Sequence, residues 1–281
     1  MYKMPRWNIT IISVKKNTCS MVLTSRDELL AIETLDGHSK LFSRKNLSSQ
    51  EEDITLLSDL AFEGKVDAAS LAYNCDQDTS YLLLGNPLQI YNINDLSAPV
   101  YPQPMHGDLR VKLGPSPITF ATNNSLFIST LNDGTMKFDL STHMFQKVSK
   151  LYSPPAGHYY QVINGKKYEF WKGQKQVKVT DLDNGNEDNL TLDYPALDHE
   201  ECPMAAYKDG FYFWDYRKGI SKIDLTGNIT TFLDINAIDN APDYQCLFRS
   251  VRNLATNQNK IFALGIPSAG KILILRPSSM K

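Results

Sequence analysis

The chain has 281 residues, of which 42% are hydrophobic and 21% are charged, and its formal net charge is −2. This composition is ordinary for a globular protein and supplies enough apolar residues for a sizeable core, which excludes a disordered chain. A nucleic-acid-binding protein is expected to carry a basic stripe, and none is visible, so we expect no nucleic-acid partner. No apolar run approaches the roughly 20 residues that cross a bilayer, so we expect no membrane insertion.

The N-terminus and the cysteines bear on the compartment. A short apolar stretch, Ile9–Val14, is followed by two lysines and by no small-residue cleavage site, which is not the pattern of a secretory leader. The four cysteines are widely spaced and form no Cys-x-x-Cys pair, which favours reduced thiols over a disulfide framework. They are Cys19, Cys75, Cys202 and Cys246. We therefore expect a cytoplasmic protein.

Six short apolar or aromatic runs recur along the chain, and each is too short for a helix and rich in strand-forming residues. They begin at Leu29, Tyr81, Leu126, Tyr168, Phe211 and Ile261. The successive starts are 52, 45, 42, 43 and 50 residues apart. Self-similarity at such a period is typical of repeat architectures.

Each run has similar neighbours. A strand-like segment precedes it and ends in a polar turn such as Asn164-Gly165 or Asp209-Gly210, pairs that tolerate the positive φ of a tight hairpin. A third, alternating segment follows, for example Ile220–Leu225, and a fourth follows a second turn, most clearly Ile229–Leu233. In the second unit the fourth segment, Val100–Pro104, contains two prolines, which suit only an edge strand.

The repeat predicts an all-β fold, a six-bladed β-propeller of four-stranded antiparallel blades in a single domain, 1–281. The segment 7–14 is predicted to close the ring as the fourth strand of the last blade, because closure hides two strand edges. Seven blades are the alternative, with the extra blade within 44–68 or 233–249. The six blade cores are predicted at about 20–60, 69–105, 118–151, 159–193, 204–235 and 250–277.

One blade resembles a known repeat family. The third unit reads Asn132–Leu140 through its turn and third strand, which resembles the Asp-Gly-Thr turn and third strand of WD40 repeats. Gly157-His158 lies where that family places its Gly-His pair, just before a first strand. The fifth unit, Gly210–Phe232, is similar to NHL and related six-bladed propellers. No blade carries a full family motif, so the resemblance implies the fold and transfers no functional residue.

The longer loops are predicted to lie on one face of the propeller, which is therefore the predicted binding face. It collects four of the five histidines, His38, His106, His158 and His199. Converging imidazoles can bind a divalent metal, and a single one can act as a general base. The simpler interpretation is favoured, that polar residues occupy polar loops on separate blades, so no metal is predicted.

Two further loops on this face carry charge. The acidic segment 198–201 could supply Ca²⁺ ligands together with Asp239 and Asp243, but without an EF-hand spacing a solvated loop is favoured. The loop Asp215–Lys218 joins an aromatic residue to cations, which suits an interface anchor as well as an exposed loop. The predicted binding-face residues are His38, His106, Arg110, His158, His199, Glu200, Tyr216, Arg217 and Asp243.

The sequence lacks a phosphate-binding loop, a Gly-x-Ser-x-Gly elbow, a His-Glu-x-x-His zinc motif and a dinucleotide fingerprint. We therefore predict no catalytic residues and no cofactor. The favoured function is a protein-interaction scaffold that binds a protein or peptide, as a monomer or as a subunit of a hetero-complex. The alternative is a propeller lyase or hydrolase that acts at the central channel through the histidines and the acidic loops.

Overall fold

The computed structural model describes residues 6–14, 18–35, 38–45, 47, 55–61, 69–85, 88–100, 119–122, 124–130, 134–149, 158–195, 197 and 202–278. These ranges contain 23 strands and one short helix. The strands are β1 (Trp7–Ser13), β2 (Thr18–Leu23), β3 (Leu29–Leu35), β4 (His38–Arg44), β5 (Thr55–Ala61), β6 (Ala69–Asn74), β7 (Thr79–Leu84), β8 (Gln89–Asn92), β9 (Thr119–Thr122), β10 (Ser125–Thr130), β11 (Gly134–Asp139), β12 (Phe145–Ser149), β13 (His158–Ile163), β14 (Lys166–Trp171), β15 (Gln176–Asp181), β16 (Glu187–Thr191), β17 (Met204–Tyr207), β18 (Gly210–Asp215), β19 (Gly219–Ile223), β20 (Ile229–Asp234), β21 (Asn253–Thr256), β22 (Phe262–Ile266) and β23 (Lys271–Pro277). The helix, α1, is Gln245–Phe248.

Within the described residues the strands form six small antiparallel sheets. Sheet 1 contains β2–β5, sheet 2 β6–β8, sheet 3 β9–β12, sheet 4 β13–β16 and sheet 5 β17–β20. Sheet 6 contains β21–β23 and also β1, which comes from the other end of the chain. β1 pairs with β23 over seven residues, with Trp7 opposite Pro277 and Ser13 opposite Lys271. The segment near the N-terminus therefore completes a sheet with the last strand.

The sheets pack against one another in sequence order. Their first strands, β2, β6, β9, β13, β17 and β21, each contact the next, and β21 contacts β2. A hydrophobic cluster lies between each pair of neighbouring sheets, and the one between sheets 5 and 6 includes Tyr212, Trp214 and Phe262. An all-β fold of small sheets packed in this way is compatible with a β-propeller.

The second strand of each sheet is buried between two neighbours, which explains the unbroken apolar runs in the sequence. In β18, Phe211 and Phe213 pack toward sheet 4, whereas Tyr212 and Trp214 pack toward sheet 6. Successive side chains of a strand point to opposite faces, so a strand with two buried faces needs an apolar residue at every position.

Strand β14 departs from this pattern. Tyr168 and Phe170 face sheet 5, but Lys167 and Glu169 on its other face are 1% and 3% exposed. The Nζ atom of Lys167 lies 3.4 Å from Oε2 of Glu169. Burial lowers the pKa of Lys167, and attraction to Glu169 opposes that shift. The second strand of sheet 4 thus holds a buried ion pair on one of its faces.

Two predictions about the blade pattern can be checked directly. A seventh blade within 233–249 is wrong, because the residues after β20 form two 3-10 turns, Ile235–Ala237 and Ala241–Tyr244, followed by α1. Sheet 2 has three strands within the described residues. The predicted edge strand Val100–Pro104 lies almost wholly outside them, although the backbone N–H of Val100 donates to Ile90 at 2.7 Å.

The turns between third and fourth strands share a carboxylate. In sheets 3, 4 and 5 the third strand runs into an Asp-Leu pair, at Asp139, Asp181 and Asp224. Each carboxylate accepts two backbone N–H groups of the following turn at 2.8–3.3 Å. At Asp224 burial favours a higher pKa, but hydrogen bonds from Thr226 and Asn228 outweigh it and lower the pKa to about 2. The same local device therefore recurs in successive sheets.

Candidate interaction surface

Each sheet has two ends. At its turn end the first strand turns into the second and the third into the fourth. At its loop end the second strand passes to the third, and the chain crosses to the next sheet. The predicted binding face corresponds to the loop ends.

The loop between β18 and β19 is a tight turn fixed at both ends. The side chain of Asp215, 4% exposed, accepts the backbone N–H of Arg217 at 2.8 Å. Gly219 has a φ of +109°, and a Cβ there would lie 2.1 Å from the carbonyl oxygen of Leu233, so only glycine fits. These constraints determine where Tyr216 and Arg217 lie.

Two guanidinium groups lie beside the ring of Tyr216. Nε of Arg217 donates to the Tyr216 hydroxyl at 2.8 Å, and its Cζ is 5.1 Å from the ring centroid. Cζ of Arg249 lies 5.7 Å from the same centroid. Cations within about 6 Å of an aromatic centroid are attracted by its π-electrons. We call Tyr216, Arg217 and Arg249 the arginine–tyrosine cluster.

A buried aromatic contact holds the two halves of this cluster together. Arg249 directly follows Phe248, the last residue of α1, which is 1% exposed. The rings of Phe248 and Trp214 are 5.2 Å apart, and Nε1 of Trp214 donates to the Phe248 carbonyl at 3.0 Å. Because Trp214 immediately precedes the Asp215 turn, this contact positions Arg249 relative to Tyr216.

The connection that carries Arg249 is also attached to the N-terminal strand. Ile238 forms a parallel bridge with Trp7, and the N–H of Asp239 donates to the Trp7 carbonyl at 3.0 Å. Arg6 and Asp239 form an exposed ion pair of 3.5 Å. Asp243 is exposed in the second 3-10 turn and forms no ion pair with any described residue. The connection is thus held at both ends and leaves its charged side chains at the surface.

The structure locates only part of the predicted binding face. It brings Tyr216 and Arg217 into contact, and it gives Asp243 no contact with either of them. His38 and His158 are the first residues of β4 and β13, but their side chains lie outside the described part. The others, His106, Arg110, His199 and Glu200, lie outside the described residues altogether. The placement of these histidines on one face therefore stays a prediction.

Arg249 is the residue that the sequence prediction missed. Its segment has no strand pattern and only one turn of helix, so no periodicity indicates where its side chains point. The available signal was the aromatic spacing Tyr244 and Phe248, four residues apart, which places both on one helical face. Pairing that face with Trp214 requires the tertiary structure.

The turn ends form a different surface, in which side chains link neighbouring sheets. Asn257, fully buried before β22, donates from Nδ2 to the Thr24 carbonyl at 3.0 Å and to Asp27 at 2.7 Å. Its Oδ1 atom accepts the backbone N–H groups of Asn259 and Ile261 at 3.1 and 3.2 Å. Sheet 6 is thereby bonded to sheet 1.

Asp78 makes the corresponding link between sheets 1 and 2. It accepts hydrogen bonds from the Ser25 hydroxyl at 2.7 Å, the Tyr73 hydroxyl at 2.8 Å and Nε of Arg26 at 2.9 Å. The hydrogen bond from Ser25 makes the largest contribution to lowering the pKa of Asp78, while burial raises the pKa of Tyr73 to about 12. The three donors stabilise the ionised form of this carboxylate.

Two lysines complete the network, which we call the turn network. Lys260 of sheet 6 donates to Asp209 of sheet 5 at 3.1 Å and to the Tyr212 hydroxyl at 2.7 Å. Lys208 of sheet 5 pairs with Asp76 of sheet 2 at 3.4 Å. Sheets 2 and 5 are three places apart in the contact order, so this ion pair joins sheets that are not neighbours.

Other chemistry is sparse in the described part of the chain. Its residues contain no group of three His, Cys, Asp or Glu side chains that could hold a metal ion. Cys75, Cys202 and Cys246 are free thiols, respectively half-buried, buried and exposed. Among the described residues, no helix is long and apolar enough to cross a membrane.

Comparisons with known proteins bear on the fold alone. No family model matches the sequence, and no curated protein matches it significantly. A solved protein of unknown function from Bacteroides thetaiotaomicron VPI-5482 has a TM-score of 0.57 at 13% identity, covering 96% of this chain and 76% of that one. A chain from the crystal structure of the mitotic checkpoint complex has a TM-score of 0.57 at 10% identity, covering 96% of this chain and 95% of that one. These similarities support a β-propeller-like all-β fold.

Proposed function

We propose that the six sheets are the blades of one six-bladed propeller spanning residues 1–281, with β1 closing the ring in the last blade. The cyclic contacts of the first strands and the pairing of β1 with β23 support this arrangement. A chain lacking residues 1–14 should lose Trp7 and Ile12 from two inter-sheet clusters and melt at a lower temperature. A synthetic peptide of residues 1–14 should restore the melting temperature, whereas full stability without it contradicts the closure.

We infer that the protein is an interaction module that binds a protein or peptide partner through its loop ends. The arginine–tyrosine cluster is the observation that carries this inference. Tyr and Arg are the residues most enriched among interface residues that dominate binding energy. Here both types are accessible, and the buried Asp215 side chain and the Trp214–Phe248 contact hold them in place. Side chains that are already ordered lose less entropy on binding.

One of the two similar solved structures supports this function without specifying it. It belongs to a multi-protein assembly, the mitotic checkpoint complex, which supports a protein partner for this chain as well. We extend the proposal to a monomer, or a subunit of a hetero-complex, in the cytoplasm, where the free thiols would stay reduced. The remaining predicted residues are proposed to line the same surface: His38, His106, Arg110, His158, His199, Glu200 and Asp243.

Affinity purification from cells that express the protein tests the proposal. Tagged wild type is compared with the double variant Tyr216→Ala/Arg217→Ala and with a control, Lys45→Ala/Lys166→Ala, whose exposed lysines lie at the turn ends. We expect partners that are recovered with wild type and with the control but are lost from the Tyr216 and Arg217 variant. A partner set that is identical for all three proteins contradicts the use of this surface.

A further inference from the structure

We propose that the arginine–tyrosine cluster binds an acidic segment of a partner protein, through the carboxylate or phosphate oxygens of its side chains. This inference rests on the proposed interaction function and specifies the chemistry of the partner. It also assigns Arg249, which the sequence prediction did not include, as a binding residue.

Neither arginine of the cluster pairs with a carboxylate of a described residue. Arg217 and Arg249 are both exposed, and their side chains contact the Tyr216 ring instead. The carboxylate of the same turn, Asp215, is buried and already binds the backbone N–H of Arg217 and the ammonium of Lys218, at 2.8 and 3.7 Å. Both guanidinium groups therefore keep donors for an external oxyanion.

The exposed charge around the cluster is mainly positive. The Asp215–Lys218 turn and the connection 235–252 together contain four cations and three carboxylates, although the whole chain has a net charge of −2. The cations are Arg217, Lys218, Arg249 and Arg252, and all four are exposed. Of the carboxylates, Asp215 is buried, Asp239 pairs with Arg6, and Asp243 is exposed. The surface that a partner meets is thus locally positive on a mildly negative protein, which favours an acidic partner.

The geometry of the donors also matches an oxyanion. Arg217 uses only Nε on the Tyr216 hydroxyl, and its remaining planar N–H groups match the two oxygens of a carboxylate or phosphate. The Trp214–Phe248 contact and Gly219 fix the two elements that carry the arginines, so the donors are ordered before the ligand binds. A nucleic acid is less well matched, because it requires a row of cations along its backbone, and the cluster contains two arginines beside one ring.

The test starts from a random 12-residue peptide library displayed on phage and selected on the full chain. We expect the bound peptides to be enriched in Asp and Glu. The best peptide, labelled with fluorescein, is then titrated against the variants by fluorescence anisotropy. Arg217→Glu/Arg249→Glu should weaken binding by about tenfold or more, because charge reversal repels the ligand. Arg217→Lys/Arg249→Lys should weaken it by about threefold, because the charge remains but the planar fork is lost.

A matched control separates local charge from net charge. Lys45→Glu/Lys166→Glu changes the net charge equally, but at exposed turn-end positions, and should alter the affinity by less than about twofold. Thermal unfolding of every variant checks that it is folded. Replacing glutamates of the peptide by phosphoserine identifies the oxyanion: a gain of about tenfold indicates phosphate, and no gain indicates carboxylate.

Each contrary outcome has a distinct meaning. A selection without acidic peptides overturns the acidic partner. If its non-acidic binders are lost with Tyr216→Ala, the interaction function survives that failure. Both proposals are overturned if the selected peptides bind equally well to wild type, to Tyr216→Ala and to Arg217→Glu/Arg249→Glu. Nucleic acid is tested with a fluorescein-labelled 20-nucleotide single-stranded DNA. The acidic-peptide proposal is overturned if this DNA binds more tightly than the best acidic peptide and its binding is lost in Arg217→Glu/Arg249→Glu.

Discussion

The turn ends and the loop ends of the sheets carry polar residues of similar types but use them differently. At the turn ends, the carboxylates and amides of Asp27, Asp78 and Asn257 bond to residues of a neighbouring sheet. At the loop ends, Arg217 and Arg249 contact a tyrosine and leave their hydrogen-bonding donors accessible. The first arrangement links sheets to one another, whereas the second presents donors to solvent.

The difference follows from how the chain is connected. Hairpin turns are short, so their side chains lie close to those of adjacent sheets and can satisfy each other's hydrogen bonds. Connections between sheets are longer, and the one at 235–252 is held by aromatic burial at Phe248, which leaves Asp243 and Arg249 exposed. We therefore expect substitutions at the turn ends to affect stability and those at the loop ends to affect binding.

The largest expected effect is at Asn257. Asn257→Ala removes four hydrogen bonds of a fully buried side chain and should lower the free energy of unfolding by about 3 kcal/mol, because buried partners lose their bonds. Urea denaturation followed by tryptophan fluorescence measures it. The exposed neighbour Gln258, with one hydrogen bond to the Ser25 carbonyl, is the control, and Gln258→Ala should cost less than about 1 kcal/mol. Equal costs at both positions contradict a role for the buried amide.

The next effect is at Asp78. Asp78→Ala removes an acceptor shared by Ser25, Tyr73 and Arg26 and places alanine at a φ of +48°, so it should cost about 2 kcal/mol. Asp78→Asn keeps one oxygen and tolerates positive φ, so its cost should be about half as large. The same denaturation experiment compares them. An asparagine variant as unstable as the alanine variant would show that charge, rather than geometry, makes this link.

A smaller, pH-dependent effect is expected at Asp224. Its folded-state pKa of about 2 lies below the unfolded value of about 3.9, so its contribution is fully present above about pH 4 and is lost as the pH falls through about 2. Asp224→Ala should cost about 1 kcal/mol at pH 7, and the difference from wild type should shrink as the pH falls through about 2. Denaturation at several pH values measures this convergence, and a difference that stays constant with pH contradicts it.

The smallest effect on stability is expected at the loop ends. Arg217→Ala/Arg249→Ala removes two exposed cation–π contacts, each worth about 0.5 kcal/mol at the lower end of the usual range, and should change the free energy of unfolding by about 1 kcal/mol or less. Thermal and urea unfolding of the double variant provide the measurement. A loss as large as that of Asn257→Ala would mean that the loop ends also hold the sheets together, and the distinction between the two ends would fail.

Much of the strand pattern is predictable from the sequence, because burial on two faces leaves a local signature. The runs starting at Tyr81 and Phe211 lie in β7 and β18, and the predicted fourth segment Ile229–Leu233 lies in β20. The Asp-Gly and Asn-Gly turns also carry their conformation in their own residues. The seventh blade suggested within 233–249 failed because length alone cannot distinguish a blade from a long connection.

Only part of the candidate site was predicted from the sequence. Tyr216 and Arg217 are adjacent in sequence, so their composition was enough to mark the turn as an interface candidate. Arg249 lies 32 residues after Arg217 in a segment without periodicity, and its approach to the Tyr216 ring depends on Phe248 packing against Trp214. That contact joins two blade-like units across a buried interface, which no local propensity encodes.

The strands, their tight turns and the repeat follow from local sequence, since each depends on residues within a few positions of one another. Which turns bond across sheets, and which cations stay accessible, follows from tertiary packing. Asn257 and Asp27 are 230 residues apart, and Lys208 meets Asp76 from a sheet that is not its neighbour. Such contacts depend on how the sheets pack around one another, and packing is a property of the whole chain rather than of any segment.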